Sequence, residues 1–433
     1  MDRLMDLVQD PFPFRGGWAL GVLLCVLGAG FLLWRWSKRR TVRGPIDLAA
    51  VVVLVIGASL VVGSLPLLTD AVVVWAAKGP PARPLGPFPV ASVELILPVG
   101  RENVRVPVRI WLPGSTVQRD RGASDQSPCG ALQDLALQGG RGRLSVIVYF
   151  PGNGGGRRDS ESTAAFLASR GYVVIGVDDV DRDPLTAGRV KPTVLDLDYA
   201  TWDVSLKTVA LAEDKARREA RRGMDELDAV ASCLPSSWRA RLDLDHVGAW
   251  GFSFGGASAS ESPLVDRRVT AVVNEEGTVY GDPARGVSPT PHLVLLENEP
   301  MRPSTLPSAD GFARNYLLTE YADRHVWRKL VQRPDHYLYI IHGTIHENFS
   351  DLSFQRRFWS QWLISSSIRV RAVREHYLVA FFDRYLQSRS TALLDAQPSP
   401  FEEVEVLKNN RNWAARVDQL PLTDAERRLF RLD

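Results

Sequence analysis

The sequence predicts an α/β fold, with a mostly parallel central sheet and helices on both faces, preceded by an N-terminal two-helix transmembrane hairpin. Short apolar runs alternate with glycine-rich loops and helix-forming segments, which is the pattern of parallel strands joined by crossover helices. Residues 251–255 have the sequence GFSFG, a G-x-S-x-G pentapeptide between an apolar run and a helix-forming segment. Two long uncharged stretches precede all of this and predict the hairpin.

The hairpin is predicted over residues 1–78, with helices over about 16–36 and 46–69. Residues 16–34 and 48–69 carry no charge, and each run has roughly the 20 residues that a helix needs to cross a bilayer. A buried core helix is the alternative. Basic residues crowd the loop between the two runs, so the positive-inside rule predicts a cytoplasmic loop and an extracytoplasmic main domain. The protein is then expected in the cell membrane as a multi-pass protein, with a proline-rich linker over 79–90 and the main domain over 91–433.

Composition limits the partners and the cysteine chemistry. The net charge of +2 over 433 residues gives no reason to expect a nucleic-acid partner. The three cysteines lack the C-x-x-C spacing of a zinc site. Cys129 and Cys233 either form a disulfide or remain two separate thiols, and the sequence does not separate these alternatives.

The first half of the main domain supplies an edge pair of strands and then parallel ones. Segments 93–97 and 104–112 are predicted to be an antiparallel pair at a sheet edge. Segment 144–150 is a buried strand that ends in the glycine-rich loop 151–156, followed by a helix over 164–169 and a strand over 172–177.

Two charged clusters follow that strand. Carboxylates at 178, 179, 181 and 183 are interpreted as a solvated loop, with a metal site as the alternative. A helix is predicted over 199–234, and its basic run is interpreted as a solvated face, with contact to anionic lipid as the alternative. That run comprises Lys215, Arg217, Arg218, Arg221 and Arg222.

The second half of the domain continues the sheet. Strands are predicted over 269–273, 292–296 and 337–341, and helices over 316–332 and 372–386. The region from 393 onward is polar and has no assigned role.

Ser253 is the predicted nucleophile, because the flanking glycines permit a sharp strand-to-helix turn that exposes a central serine. A serine nucleophile needs a base to accept its proton, and in this architecture the base follows in the chain. We assign that role to His346, in the loop after strand 337–341, and a structural role to His342 at the strand end. A zinc site is disfavoured because H-E-x-x-H is absent.

The acid that orients the base has two candidate positions from local pattern alone. Glu276 follows the strand after the pentapeptide, and Glu297 or Glu299 follows the next strand. The pattern does not choose between them. The N–H groups of Asn153, in the glycine-rich loop, and of Phe254, directly after the nucleophile, are the predicted donors to an oxyanion.

Three segments resemble one known family: VYFPGNG at 148–154, GFSFGG at 251–256 and GTIHENFSDLSF at 343–354. The sequence resembles the α/β-hydrolases of the platelet-activating-factor acetylhydrolase family (isoform II or plasma type) and their bacterial relatives. The likeness covers about 93–401 and is most specific in the His-polar-Asn-Phe-x-Asp segment. The resemblance implies an acid after the strand that follows the nucleophile, which favours Glu276 over Glu297 and leaves Glu275 as a second alternative.

The resemblance further implies hydrolysis of short or oxidised acyl esters without metal or cofactor. The predicted function is therefore a membrane-anchored serine ester hydrolase, a carboxylesterase or lipase acting on a small-molecule or lipid ester. Two alternatives stay open: a non-catalytic binding protein that keeps the fold, and an acyltransferase that uses the same triad.

Overall fold

The computed structural model describes residues 86–100, 103–116, 129, 132, 135–138, 142–182, 206–286, 290–297, 311–351 and 367–432. The strands are β1 (Val90–Val99), β2 (Val104–Thr116), β3 (Leu135–Leu137), β4 (Leu144–Phe150), β5 (Val173–Gly176), β6 (Leu242–Phe252), β7 (Val269–Glu275), β8 (His292–Glu297), β9 (His336–Ile341) and β10 (Val404–Val406). The helices are α1 (Glu161–Ser169), α2 (Leu206–Cys233), α3 (Ser236–Arg239), α4 (Phe254–Val265), α5 (Gly281–Ala284), α6 (Gly311–Leu330), α7 (Ser367–Leu386), α8 (Arg411–Asp418) and α9 (Asp424–Leu429).

The strands form one sheet in the order β1-β2-β5-β4-β6-β7-β8-β9-β10, with β3 paired to β2. Six neighbouring strands of this sheet run parallel, namely β5, β4, β6, β7, β8 and β9. At one edge β1 pairs with β2 in antiparallel register, as predicted, and at the other edge β10 runs antiparallel to β9. The mostly parallel sheet expected from the sequence is therefore present.

The central strands are continuous apolar runs because both faces of the sheet are covered. Every residue of β4, β8 and β9 is buried, whereas β1 alternates buried and exposed residues. On one face, α2 packs Leu227 and Val230 against Val148 and Ala249. On the other face, α1 and α7 pack against the residues that alternate with these, including Tyr149 and Trp250.

The fold class and the localisation need one correction. No helix among the residues that the structure describes is both long and apolar enough to cross a membrane. The predicted membrane helices, 16–36 and 46–69, lie outside the described residues. The inference was weak physically because an uncharged apolar run also suits a helix buried in a protein core. We therefore correct the fold class to the α/β domain that the structure describes, and the predictions of a multi-pass membrane localisation and of a membrane partner are not retained.

The parallel sheet brings the predicted site residues to one edge. Parallel strands end at the same side of a sheet, and ligands of open α/β sheets bind outside those carboxyl ends. The ends of β4, β6, β7, β8 and β9 lead directly to Asn153, Ser253, Glu276, Glu297 and His346. Asn153 and His346, which are 193 positions apart in the sequence, are thus brought to the same edge of the sheet.

A disulfide joins Cys129 to Cys233 at the end of α2. The two Cα atoms are 5.3 Å apart and the residues are 104 positions apart in sequence. Of the two alternatives that the sequence left open, the structure contains the bonded one.

Candidate active site

Ser253 lies in a strained turn between β6 and α4. Its φ of 55° and ψ of −126° lie outside the regions that L-residues commonly adopt. The turn is tight enough that a Cβ on Gly251 would overlap the carbonyl oxygen of Gly255, and a Cβ on Gly255 would overlap that of Phe150. Both glycines of the pentapeptide are therefore required by close backbone approach, which explains why the motif has this spacing.

His346 lies beside this serine. Its Nε2 is 2.9 Å from the Oγ of Ser253, close enough to accept the hydroxyl proton in a hydrogen bond. The imidazole also packs against the ring of Phe252, with the centroids 4.8 Å apart. His342, which was assigned a structural role, lies instead with its Nε2 3.2 Å from a carboxylate oxygen of Glu405 on β10.

The loop that carries His346 is held at three points. The Asn348 side chain accepts a hydrogen bond of 2.9 Å from the N–H of Ile345, which closes the 3₁₀ turn His346–Phe349. The carbonyl of Asn348 accepts a bond of 3.1 Å from Arg374 on α7. The carboxylate of Asp351 accepts bonds from the N–H and the hydroxyl of Ser162 on α1. The polar residues of the His-polar-Asn-Phe-x-Asp segment thus position the histidine.

Glu276 lies on the other side of the imidazole from Ser253. Its Oε2 lies 3.5 Å from Nδ1 of His346, and its Oε1 accepts the N–H of Glu297. Like Ser253, Glu276 has a positive φ, of 59°, at the exit of its strand. The carboxylate of Glu297 is also near, because one ligand atom each of Glu276, Glu297 and His346 lies within 4.8 Å of the others.

Glu275, the second alternative for the acid, has a different environment. Its carboxylate is fully buried and accepts bonds of 2.9 and 2.7 Å from the guanidinium of Arg374. It also accepts a bond of 2.8 Å from the indole N–H of Trp250. Consecutive residues at the end of a strand point to opposite faces, so Glu275 and Glu276 have separate partners.

The interaction between Glu276 and His346 raises the basicity of the imidazole. Burial alone lowers the pKa of His346, but the hydrogen bond and the charge of Glu276 outweigh it, so the pKa lies above the ordinary 6.5. The charges of Glu347 and Glu320 act in the same direction. Because 41% of the side chain is exposed, water moderates this effect.

The glycine-rich loop after β4 lies against the nucleophile. A Cβ on Gly152 would stand 3.3 Å from the Cβ of Ser253, so the backbone passes close to the serine. The N–H of Phe254 is at the first position of α4, where the helix itself offers no acceptor.

The N–H groups that follow Asn153 in this loop are all used inside the protein. Those of Gly154, Gly155, Gly156 and Arg157 donate to Asp179, Gly152, Asp159 and Asp178 at 2.6, 2.8, 2.9 and 2.8 Å. Within the described part of the chain, the N–H of Asn153 has no protein acceptor. Among the described residues, neither predicted donor, the N–H of Asn153 or of Phe254, is used in a hydrogen bond within the protein.

Both charged clusters that were interpreted as solvated proved to be partly buried. Asp178 and Asp179 are 3% and 1% exposed, and they accept the N–H groups of the glycine-rich loop. Lys215 is 1% exposed, whereas Arg218 and Arg221 of the same run are exposed as expected. Asp183 and Glu299 lie outside the described residues. No local signal distinguishes a buried charge from a solvated one, because the difference arises from what packs on it.

Glu276, Glu297 and His346 are also, among the described residues, the group close enough to bind a metal ion together. Within this group, His346 contacts Glu276 through Nδ1 and Ser253 through Nε2. The arrangement therefore combines a hydroxyl, an imidazole, a carboxylate and two N–H groups that have no acceptor among the described residues, and acyl transfer through a serine requires groups of these kinds.

No family model matches the sequence, and no curated protein matches it. Among solved structures, the chain is similar to a ferulic acid esterase from Streptomyces cinnamoneus, solved at 2.4 Å resolution. The identity is 24%, the match covers 76% of this chain and 99% of that chain, and the TM-score is 0.54. This likeness shows that the chain has the fold of that esterase, and it does not single out the platelet-activating-factor acetylhydrolase family.

Proposed function

We propose that this protein is a serine hydrolase of carboxylic esters that uses Ser253, His346 and Glu276 as its catalytic triad. The observation that carries the proposal is the continuous contact from Ser253 Oγ to His346 Nε2 and from His346 Nδ1 to Glu276, at 2.9 and 3.5 Å. A fold shared with an esterase agrees with it. The strained φ of Ser253 supports a nucleophile, because such strain concentrates at functional sites.

The reaction proceeds in two halves through an acyl-enzyme. The Oγ of Ser253 attacks the carbonyl carbon of the ester while Nε2 of His346 takes the hydroxyl proton. Glu276 stabilises the resulting imidazolium, and the N–H groups of Asn153 and Phe254 donate to the oxyanion. His346 then passes its proton to the departing alkoxide, which leaves as the alcohol. In the second half, a water molecule attacks the acyl-enzyme in the same way, with His346 taking its proton. This step releases the carboxylic acid and the free serine.

The substrate class that we propose is a small-molecule carboxylic ester. The ferulic acid esterase that shares the fold makes hydroxycinnamoyl esters one panel to test, and the family resemblance makes short acyl esters and phospholipid esters the others. The ring of Phe254, the residue that follows the nucleophile, has its centroid 6.2 Å from that of Tyr280. An apolar or aromatic acyl group would gain contact with such rings.

The test is labelling with a fluorophosphonate probe, followed by hydrolysis of p-nitrophenyl acetate, p-nitrophenyl butyrate and methyl ferulate. We expect the wild type to be labelled and Ser253→Ala to be unlabelled, with kcat lowered by roughly a millionfold. His346→Ala should behave in the same way. His342→Ala is the matched control for the histidine and Ser262→Ala, a serine within α4, for the nucleophile, and both should keep wild-type activity. A folded wild type that neither labels nor hydrolyses any ester would refute the proposal.

A further inference from the structure

Lys215 is an unusual lysine because its side chain is only 1% exposed although it belongs to the basic run of α2. Burying an ammonium is costly unless it has close partners of opposite charge. Its Nζ donates to Asp179 at 2.8 Å and lies 3.1 Å from a carboxylate oxygen of Asp181 and 3.6 Å from one of Glu219. Asp179 and Asp181 compensate the buried charge, whereas burial raises the pKa of Glu219 to about 8, so that carboxyl is mostly protonated at neutral pH.

The fourth polar contact of Lys215 has a different character. Nζ donates a hydrogen bond of 2.6 Å to the side-chain oxygen of Asn153, whose own N–H has no acceptor among the described residues. The ammonium also lies over the ring of Phe254, 4.9 Å from its centroid, in a cation–π contact. One charge thus contacts both residues that carry the proposed oxyanion donors.

Asp179 extends this contact along the loop. The Oδ2 atom that accepts from Lys215 also accepts the N–H of Gly154, at 2.6 Å. Gly154 has a φ of 67°, so the loop turns away sharply after Asn153 through a residue with wide conformational freedom. The Asn153 N–H belongs to the peptide unit between Gly152 and Asn153, whose carbonyl accepts the N–H of Gly155 at 2.8 Å. The contacts of the Asn153 side chain with Lys215 and of the Gly154 N–H with Asp179 hold the other side of Asn153, so together they limit the directions in which its N–H can rotate.

A donor to the oxyanion must point in the correct direction. Its N–H must lie about 2.7–3.1 Å from the position where the negative charge develops, and a glycine-rich loop by itself does not fix the N–H at that position. The residue Asn153 is itself exposed, so packing does not hold it.

We propose that Lys215 is a positioning residue that aims the Asn153 N–H at the oxyanion by holding the Asn153 side chain, with Asp179 holding the next residue. The inference rests on the proposed function of Ser253. Lys215 contacts no reacting atom in this scheme, and it acts through the loop.

The experiment compares Lys215→Met, Asn153→Ala and the double variant. Asn153→Ala keeps the N–H donor and removes only the side-chain contact with Lys215. We expect each single variant to lower kcat about 10- to 100-fold on p-nitrophenyl acetate with little change in KM, since a small misplacement of a catalytic group costs about this much. The double variant should lose no more than the stronger single one, because both remove the same interaction. Arg221→Met, which removes an exposed charge from the same helix, should leave kcat unchanged.

A trifluoromethyl ketone inhibitor supplies the second readout, because its tetrahedral adduct places a real oxyanion in the site. Its affinity should fall by the same factor as kcat/KM in each variant, an effect that a change in overall stability would not produce. If Lys215→Met does not fold, Asn153→Ala still decides, because it leaves the buried charges intact. Full kcat and inhibitor affinity in Asn153→Ala would overturn the inference while wild-type labelling left the proposed function standing. A wild type that fails to label would instead overturn the proposed function.

Discussion

Two adjacent glutamates, Glu275 and Glu276, should give opposite phenotypes when each is replaced by glutamine. Glu276 faces His346 across 3.5 Å, whereas Glu275 is buried in a bidentate pair with Arg374. The substitution keeps size and shape in both cases and removes one negative charge. The comparison therefore separates a catalytic carboxylate from a structural one at neighbouring positions.

The magnitudes follow from the two environments. In Glu276→Gln, we expect kcat to fall about 10⁴-fold, the loss seen when the acid of a serine triad becomes an amide. Stability should change by only about 1 kcal/mol, because the contact is long and the imidazole is 41% exposed. In Glu275→Gln, the guanidinium of Arg374 stays buried at 1% exposure without its hydrogen-bonded carboxylate, which costs about 3–5 kcal/mol. The Tm should then fall by on the order of 10 °C.

The assay measures kcat on p-nitrophenyl acetate and the midpoint of thermal and urea unfolding for both variants. Glu297→Gln is the matched control, because its carboxylate is near His346 without being the assigned acid. It should retain at least about a tenth of the wild-type kcat. A 10⁴-fold loss in Glu275→Gln or Glu297→Gln, with Glu276→Gln active, would refute the assignment and transfer the role to that residue.

The remaining predictions concern pH and the disulfide. Neutral His346 is the active base, so kcat/KM should fall as pH drops through a pKa above 6.5, and Glu276→Gln should move this limb to lower pH in a pH–rate profile. Burial lowers the pKa of His292 to about 4, below its unfolded value of 6.5, so the unfolded state binds more protons and stability falls as pH drops between these values. Burial also lowers the pKa values of His325 and His336, so these residues add losses of the same sign. The contribution of His292, about 2 kcal/mol from pH 7 to pH 5, should therefore appear in urea unfolding as the difference between the wild type and His292→Gln. Reducing the bond between Cys129 and Cys233 should cost about 3–5 kcal/mol in urea unfolding, since it opens a loop of 104 positions, and should leave kcat unchanged. An unchanged unfolding curve under reductant would contradict this.

The sequence alone predicted those features that depend on neighbouring residues. The turn at Ser253 needs glycines two positions before and after it, because backbone atoms approach closely there, and a local motif records that need. The position of His346 after an apolar strand could be predicted similarly, since parallel strands end at one edge of a sheet. The parallel sheet itself followed from the alternation of apolar runs with helix-forming segments.

The choice between Glu276 and Glu297 was beyond local pattern for a physical reason. Strands β7 and β8 are paired neighbours in parallel register, so both carboxylates arrive beside the same imidazole. Only side-chain geometry places Glu276 at Nδ1 and gives Glu275 to Arg374. For the expected membrane hairpin, by contrast, the local pattern was over-interpreted. An uncharged apolar run by itself does not determine that a helix crosses a membrane.

The tertiary structure alone decided the burial of charge. Lys215 and Asp179 belong to runs of charged residues whose composition indicates a solvated surface. They are buried because α2 packs over the loops that leave β4 and β5. This packing brings Lys215 into hydrogen-bond contact with Asn153 and Asp179, which lie 62 and 36 positions earlier in the sequence. The bond between Cys129 and Cys233 arises in the same way. Contacts between distant segments depend on how elements pack, whereas a sequence pattern reports mainly what each element needs from its own neighbours.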